Sequence, residues 1–176
     1  MPSYLVVANQ TLGGTALAKV ITERAKMEAV TFHVVVPATE PADEHPPAAG
    51  TASENAQRRL LEALERLKAA GVEATGEVGA ADPMQAIGDA LKAQSHTGLI
   101  ISTLPAGVSR WLHIDQPHRA AREFNLLVEW IEARTDAPDE ATMSRIELPP
   151  IAKQNLAVSS VITGEPTRPD SQRKIV

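Results

Sequence analysis

Tyr4-Leu5-Val6-Val7-Ala8, followed at once by Asn9-Gln10-Thr11-Leu12-Gly13-Gly14, decides how this chain folds. An apolar run without alternation reads as a strand buried on both faces, and such strands belong to parallel sheets covered by helices. The polar, glycine-containing turn behind it releases the chain at Thr15 into a stretch where Leu17, Val20 and Ile21 recur at helical spacing. One strand–helix unit is thereby in place.

Outward from this unit the pattern recurs. Phe32 to Val36 is a second buried strand, stopped by Pro37, and the Pro- and acid-rich stretch Thr39 to Gly50 reads as a loop. Thr51-Ala52-Ser53-Glu54 has the form of a capping box, in which a hydroxyl accepts the N3 amide and a glutamate reaches back. The helix it opens is expected to place Leu60, Leu61, Leu64 and Leu67 on one face, with Arg58, Arg59, Glu62 and Arg66 largely away from it, and to end at Gly71. Val72 to Val78 alternates, which suits a strand at the sheet edge. Asp82-Pro83-Met84-Gln85 supplies N-cap, N1 proline and N3 glutamine for a helix buried through Met84, Ile87 and Leu91. Leu99-Ile100-Ile101 is a fourth strand, Asp115 to Phe124 a short helix and Leu126 to Ile131 a fifth strand. On that last strand Val128 and Trp130 face one way, and Leu127, Glu129 and Ile131 the other. Glu129 then reads either as a guard against edge pairing or as the margin of a dimer interface.

The alternation predicts an α/β domain over residues 1–133, a three-layer α/β/α arrangement on a five-stranded parallel sheet. Residues 134–176 carry Pro138, Pro149, Pro150, Pro166 and Pro169 with little periodicity, and are expected to form a flexible tail. Two apolar islands interrupt it, Ile146-Glu147-Leu148 and Leu156 to Ile162. The sharper alternative to a flexible tail is that Leu156 to Ile162 docks on the domain or on a partner.

Composition narrows the function. The 176 residues are 43% hydrophobic but only 3% aromatic, so the core is aliphatic. A net charge of -5 argues against a general nucleic-acid binder, which needs a basic surface. With no cysteine there is no disulfide, thiolate nucleophile or Cys-ligated metal. No run approaches the roughly 18 apolar residues of a membrane span. No basic n-region with an apolar h-region opens the chain, so a cytoplasmic protein without a membrane partner is expected.

In an open parallel sheet ligands bind beyond the carboxyl ends of the strands, where strand order reverses. The positions to inspect are Ala8-Asn9-Gln10, Pro37-Ala38-Thr39, Gly79-Ala80 and the segment Ser102-Thr103-Leu104-Pro105-Ala106-Gly107-Val108-Ser109-Arg110-Trp111-Leu112. Small residues in that segment let backbone amides approach an anion, and Arg110 supplies a planar donor fork. The plainer alternative is a surface turn whose Trp111 and Leu112 cap the sheet. His113, Asp115 and His118 lie close in sequence, but Pro117 and a helix start spread them, so no metal is expected. Arg119 and Arg122 share a helix face and suit pairing with Asp115 or Glu123, or an anion. Thr11-Leu12-Gly13-Gly14 is not a dinucleotide fingerprint, and neither a P-loop nor a Gly-x-Ser-x-Gly elbow occurs.

The pattern from Tyr4-Leu5-Val6-Val7-Ala8 to Leu99–Ile131 resembles the universal stress protein family over about the first 133 residues. The resemblance implies strand order 3-2-1-4-5, dimerisation through strand 5 and, in many members, ATP between the ends of strands 1 and 4. It also implies a Gly-x-x-Gly, a spacer and a Gly-Ser or Gly-Thr pair for the phosphates. On this chain those glycines fall on Ser102, Pro105 and Ile114-Asp115, so the motif is lost. The family's acidic residue after strand 1 falls on Asn9, which still donates and accepts hydrogen bonds. The candidate ligand-binding residues are therefore Ala8, Asn9, Thr39, Ser102, Thr103, Gly107, Ser109 and Arg110. The expectation is a non-enzymatic binding or regulatory protein, a homodimer, taking a small anion or a nucleotide such as ATP or AMP in the strand 1/strand 4 crevice. The alternative is a ligand-free interaction module acting through a dimer edge and the tail. A nucleotide hydrolase is the weakest reading, since no nucleophile and base are paired.

Overall fold

A computed structural model of the chain describes residues 1–39, 51–104, 116–132 and 144–149. Its centre is β1 (Ser3–Val7), which pairs in parallel with β2 (Thr31–Pro37) on one side and β4 (Gly98–Thr103) on the other. Beyond β2 lies β3 (Ala74–Gly79), and beyond β4 lies β5 (Leu127–Glu132), both parallel. Helices α1 (Thr15–Met27), α2 (Ala52–Ala69), α3 (Pro83–Ala93) and α4 (Gln116–Phe124) make the connections. A 3-10 turn, Gln10–Gly13, separates β1 from α1.

The sheet has six strands rather than five. Ser144–Leu148, within the stretch expected to be a tail, forms β6, antiparallel to β5 with Ile146 opposite Trp130. The order is therefore β3-β2-β1-β4-β5-β6. This corrects the reading of β5 as the sheet edge: within the chain its outer side is taken by β6.

Strand alternation divides the core. Tyr4, Val6, Val34, Ile100 and Ile131 pack with Leu17, Val20 and Ile21 of α1 and with Leu60, Ala63 and Leu67 of α2. Leu5, Val7, Val35, Leu99, Ile101 and Val128 pack with Met84, Ile87 and Ala90 of α3 and with Ala120 and Ala121 of α4. Helices thus cover the sheet from both sides. Each fully buried aliphatic side chain contributes about 1.5–3 kcal/mol, the usual gain from leaving water.

Local chemistry sets the helix starts. Glu54 N–H donates to Thr51 Oγ1 (3.2 Å) and Thr51 N–H to Glu54 Oε2 (2.7 Å), the full capping box. Those hydrogen bonds, the backbone one first, hold the Glu54 carboxyl below its ordinary range. Gln85 N–H donates to Asp82 Oδ1 at 2.8 Å, with Pro83 behind it. Gly71 takes the left-handed conformation (φ 74°) that closes α2. Gly76 lets α2 press onto β3, since a Cβ there would lie 2.5 Å from Val34 O and 2.7 Å from Leu60 Cδ1.

Two side-chain expectations need correction. Leu61 is 53% exposed, because the buried stripe of α2 runs through Ala56, Leu60, Ala63 and Leu67. Glu129 neither guards an edge nor borders one. It is 2% exposed and its Oε2 accepts from Arg24 Nη2 at 2.6 Å. Arg24 also donates to Tyr4 Oη (2.7 Å) and lies 4.3 Å above that ring. Burial opposes the Arg24 charge, but the hydrogen bond and charge of Glu129, helped by Tyr4 and Glu28, raise it above its ordinary value. Among the described residues no helix is long and apolar enough to cross a membrane.

Candidate functional site

Strand order reverses between β1 and β4: from β1 the chain moves out through β2 to β3, then returns beside β1 as β4 and moves the other way. The carboxyl ends of those two strands flank the crevice in which this architecture places ligands.

On the β1 side Ala8 is fully buried and its N–H reaches Val35 O at 3.4 Å. Asn9 follows, 2% exposed, and its amide is fully engaged. Nδ2 donates to Pro37 O (3.1 Å) and Thr39 O (3.2 Å), and Oδ1 accepts from Arg59 Nη1 (2.9 Å). Thr39 is held in turn, its Oγ1 donating to Ala81 O at 2.6 Å. Asn9 therefore staples the ends of β1 and β2 and anchors an arginine from α2.

On the β4 side Ser102 and Thr103 diverge, as successive strand residues must. Thr103 Oγ1 accepts from Trp130 Nε1 at 3.0 Å, so it is committed to the α3/α4 side. Ser102 is fully buried on the other side, and its Oγ has no partner among the described residues. Its carbonyl accepts from Thr11 Oγ1 at 2.9 Å, a tie across the reversal point. The structure thus brings Ala8, Asn9, Thr39 and Ser102 to one end of the sheet and directs Thr103 away. Gly107, Ser109 and Arg110, with Trp111, His113 and Asp115, lie outside the described residues.

Two residues that matter here, Thr11 and Arg59, were not among the expected site residues. Arg59 was placed on the outer face of α2, yet it is half-buried and turned to Asn9. The signal was available: Arg59 follows Asn55 and Ala56 by four and three positions and precedes Ala63 by four, and all three are buried. Arg66, a further two turns along, donates from Nη1 to Gly13 O at 3.0 Å. Two cationic side chains of α2 therefore reach the turn between β1 and α1, at the end where an anion would enter.

The ATP expectation meets this geometry unevenly. Asn9 can read an adenine edge only by giving up one of its three present bonds. Ser102, in place of the first phosphate glycine, is sealed in the core. Guanidinium groups beside a strand end suit a phosphate or carboxylate better than a base.

Elsewhere, an open groove of about 460 Å³ runs between α3 and α4, lined by Met84, Leu91 and Phe124 with Asp89, Lys92 and Arg119. Its charges are mixed, and Arg119 Nε stands 3.5 Å from Glu123 Oε2. A smaller cavity of about 210 Å³ opens at the amino ends of β1–β3, beside Ser3, His33 and Thr75. Neither adjoins the β1/β4 reversal point. Among the described residues no cluster of three or more metal-ligating side chains occurs.

Fold and strand-end geometry together define an α/β protein with a mostly parallel sheet that reverses between β1 and β4. Compared with known protein families and with curated proteins, the chain matches none.

Proposed function

We propose that this chain is a non-enzymatic binding and regulatory protein of the universal-stress-protein kind, acting in the cytoplasm as a homodimer. It takes a small anion, or the phosphate of a nucleotide such as AMP or ATP, in the crevice between β1 and β4. The observation that carries this reading is Arg59, held half-buried at the reversal point by Asn9 at 2.9 Å. A guanidinium at the strand ends places a planar, charge-assisted donor group where an anion would enter, and such groups recognise oxyanions.

Calorimetric titration with inorganic phosphate, AMP and ATP tests it, supported by tryptophan fluorescence. Trp130 donates to Thr103 at the end of β4, so it reports from the strand end itself, and Trp130→Phe separates its signal from that of Trp111. The expected result is saturable binding with a dissociation constant below about 100 μM, roughly 5.5 kcal/mol. Arg59→Ala should weaken it at least tenfold, about 1.4 kcal/mol, and Arg110→Ala, at a position outside the described residues, should weaken it too. A calorimetric null for all three ligands overturns the reading.

A second reading is supported by Asn9, whose amide is engaged through both its nitrogen and its oxygen by the protein's own groups. On that reading the crevice is structural, and the chain is a ligand-free interaction module working through a dimer edge and residues 134–176. Deleting the residues after 149 should then abolish partner capture while leaving the sheet intact.

A further inference from the structure

β6 is the last strand of the sheet on the β5 side, and among the described residues no strand lies beyond it. An edge strand presents a row of backbone donors and acceptors to any chain that can pair with it. The residues on β6 are Ser144-Arg145-Ile146-Glu147-Leu148.

Two copies of one strand can pair antiparallel about a two-fold axis normal to the sheet. Facing residues must then share a face, so the axis passes through a residue and never between two. An axis through Arg145 sets two arginines against each other, and one through Glu147 sets two glutamates against each other. The axis through Ile146 sets Arg145 opposite Glu147 twice and Ile146 opposite itself. The sequence is self-complementary in that central register alone. Among the described residues Ile146 is also one of the few large hydrophobic side chains left exposed, at 38%. The other edge, β3, offers no such match: an axis through Glu77 opposes two glutamates, and one through Gly76 sets Thr75 against Glu77.

We propose that β6 is the homodimer surface: a second copy of this chain pairs antiparallel with it about Ile146, joining two six-stranded sheets into one. This rests on the homodimer of the proposed function and names its surface. It departs from dimerisation through the fifth strand, whose outer side β6 already covers. A five-residue ladder is small beside the roughly 1,200 Å² that stable complexes bury, so the association is concentration-dependent over about 10–500 μM.

Sedimentation velocity of the full chain across that range tests it, with Arg145→Glu and Glu147→Arg as variants. Each variant alone brings like charges together in the central register and should raise the dimer dissociation constant at least tenfold. An equimolar mixture of the two restores both opposite-charge pairs and should dimerise at least as well as the unaltered chain, which misfolding of either variant would not produce. A chain that stays monomeric throughout removes both the homodimer and this surface. A dimer indifferent to both substitutions, or a mixture no better than its components, leaves the homodimer standing and overturns β6 as its site.

Discussion

His96 is 8% exposed at the amino end of the sheet, where its Nδ1 and Ser3 Oγ are 2.9 Å apart and its Nε2 is buried with no partner among the described residues. Its ring stacks on His33 at 5.9 Å, and His33 contacts Thr75 Oγ1 through Nδ1 and stands 3.5 Å from Glu77 Oε1 through Nε2. Burial first, and the neighbouring His33 second, lower the affinity of His96 for a proton below the ordinary histidine value of 6.5. The unfolded chain therefore binds the proton more readily than the folded one. Stability is complete above pH about 6.5 and is lost as pH falls from there toward the lower folded value. Urea midpoints at pH 7.5 and 5.5 should show this loss, and His96→Asn should reduce it; an equal loss in the variant would count against His96. The Arg24–Glu129 pair behaves differently, because removing one member leaves a buried charge behind. Glu129→Gln or Arg24→Met should cost about 3 kcal/mol by equilibrium unfolding, while Arg24→Leu with Glu129→Leu costs less than either alone. Neither pairing was legible in the sequence. Arg24 and Glu129 are separated by 105 positions, and only the β4/β5 register brings the carboxylate over α1. Arg59 was more accessible to reasoning, since its spacing from Ala56 and Ala63 is helical, but four leucines beside it pointed to a slightly different face.

At the scale of elements, legibility followed local chemistry. The starts of α2 and α3 could be read because cap and first turn sit within four residues, and the structure shows the bonds that Thr51, Glu54 and Asp82 were expected to make. The buried strands could be read because β1, β2 and β4 are apolar without alternation, as strands covered on both faces are. β6 could not be read as a strand, because five residues with an arginine, a glutamate and a serine carry no decisive period. Its pairing is supplied by the apolar Val128 and Trp130 of β5, against which Leu148 and Ile146 register. β3 holds a second lesson. Its alternation marked it as an edge, but nothing in that pattern singled out Gly76 as a contact. The glycine is where α2 and β2 close on β3, so Gly76→Ala should destabilise the protein by about 2 kcal/mol, the usual cost of overpacking against backbone. The neighbouring substitution Thr75→Ala, on the exposed side, serves as the control and should change the unfolding midpoint far less.

For the whole molecule the decisive fact is that the sheet continues past residue 133. A boundary there looked natural because helical and strand periodicity fade at Arg134 and prolines follow. The structure instead takes Ser144–Leu148 back to the sheet, where Leu148 packs with the cluster around Val128, Ala120 and Ala121. Two lengths of chain therefore differ in a way that composition cannot anticipate. A chain ending at 149 keeps all six strands, whereas one ending at 133 uncovers the outer edge of β5, together with the apolar surface that Ile146 and Leu148 now share with Trp130 and Val128. A long parallel strand with an uncovered apolar edge invites pairing with other chains. The shorter chain should melt roughly 5 °C below the longer one, which corresponds to about 2 kcal/mol for a domain of this size. It should also sediment as oligomers at concentrations where the longer chain does not. Equal melting temperatures and equal sedimentation would mean that β6 adds nothing to the domain and that the sheet is complete at five strands. That outcome would return β5 to the edge, and with it the expectation that two copies meet there.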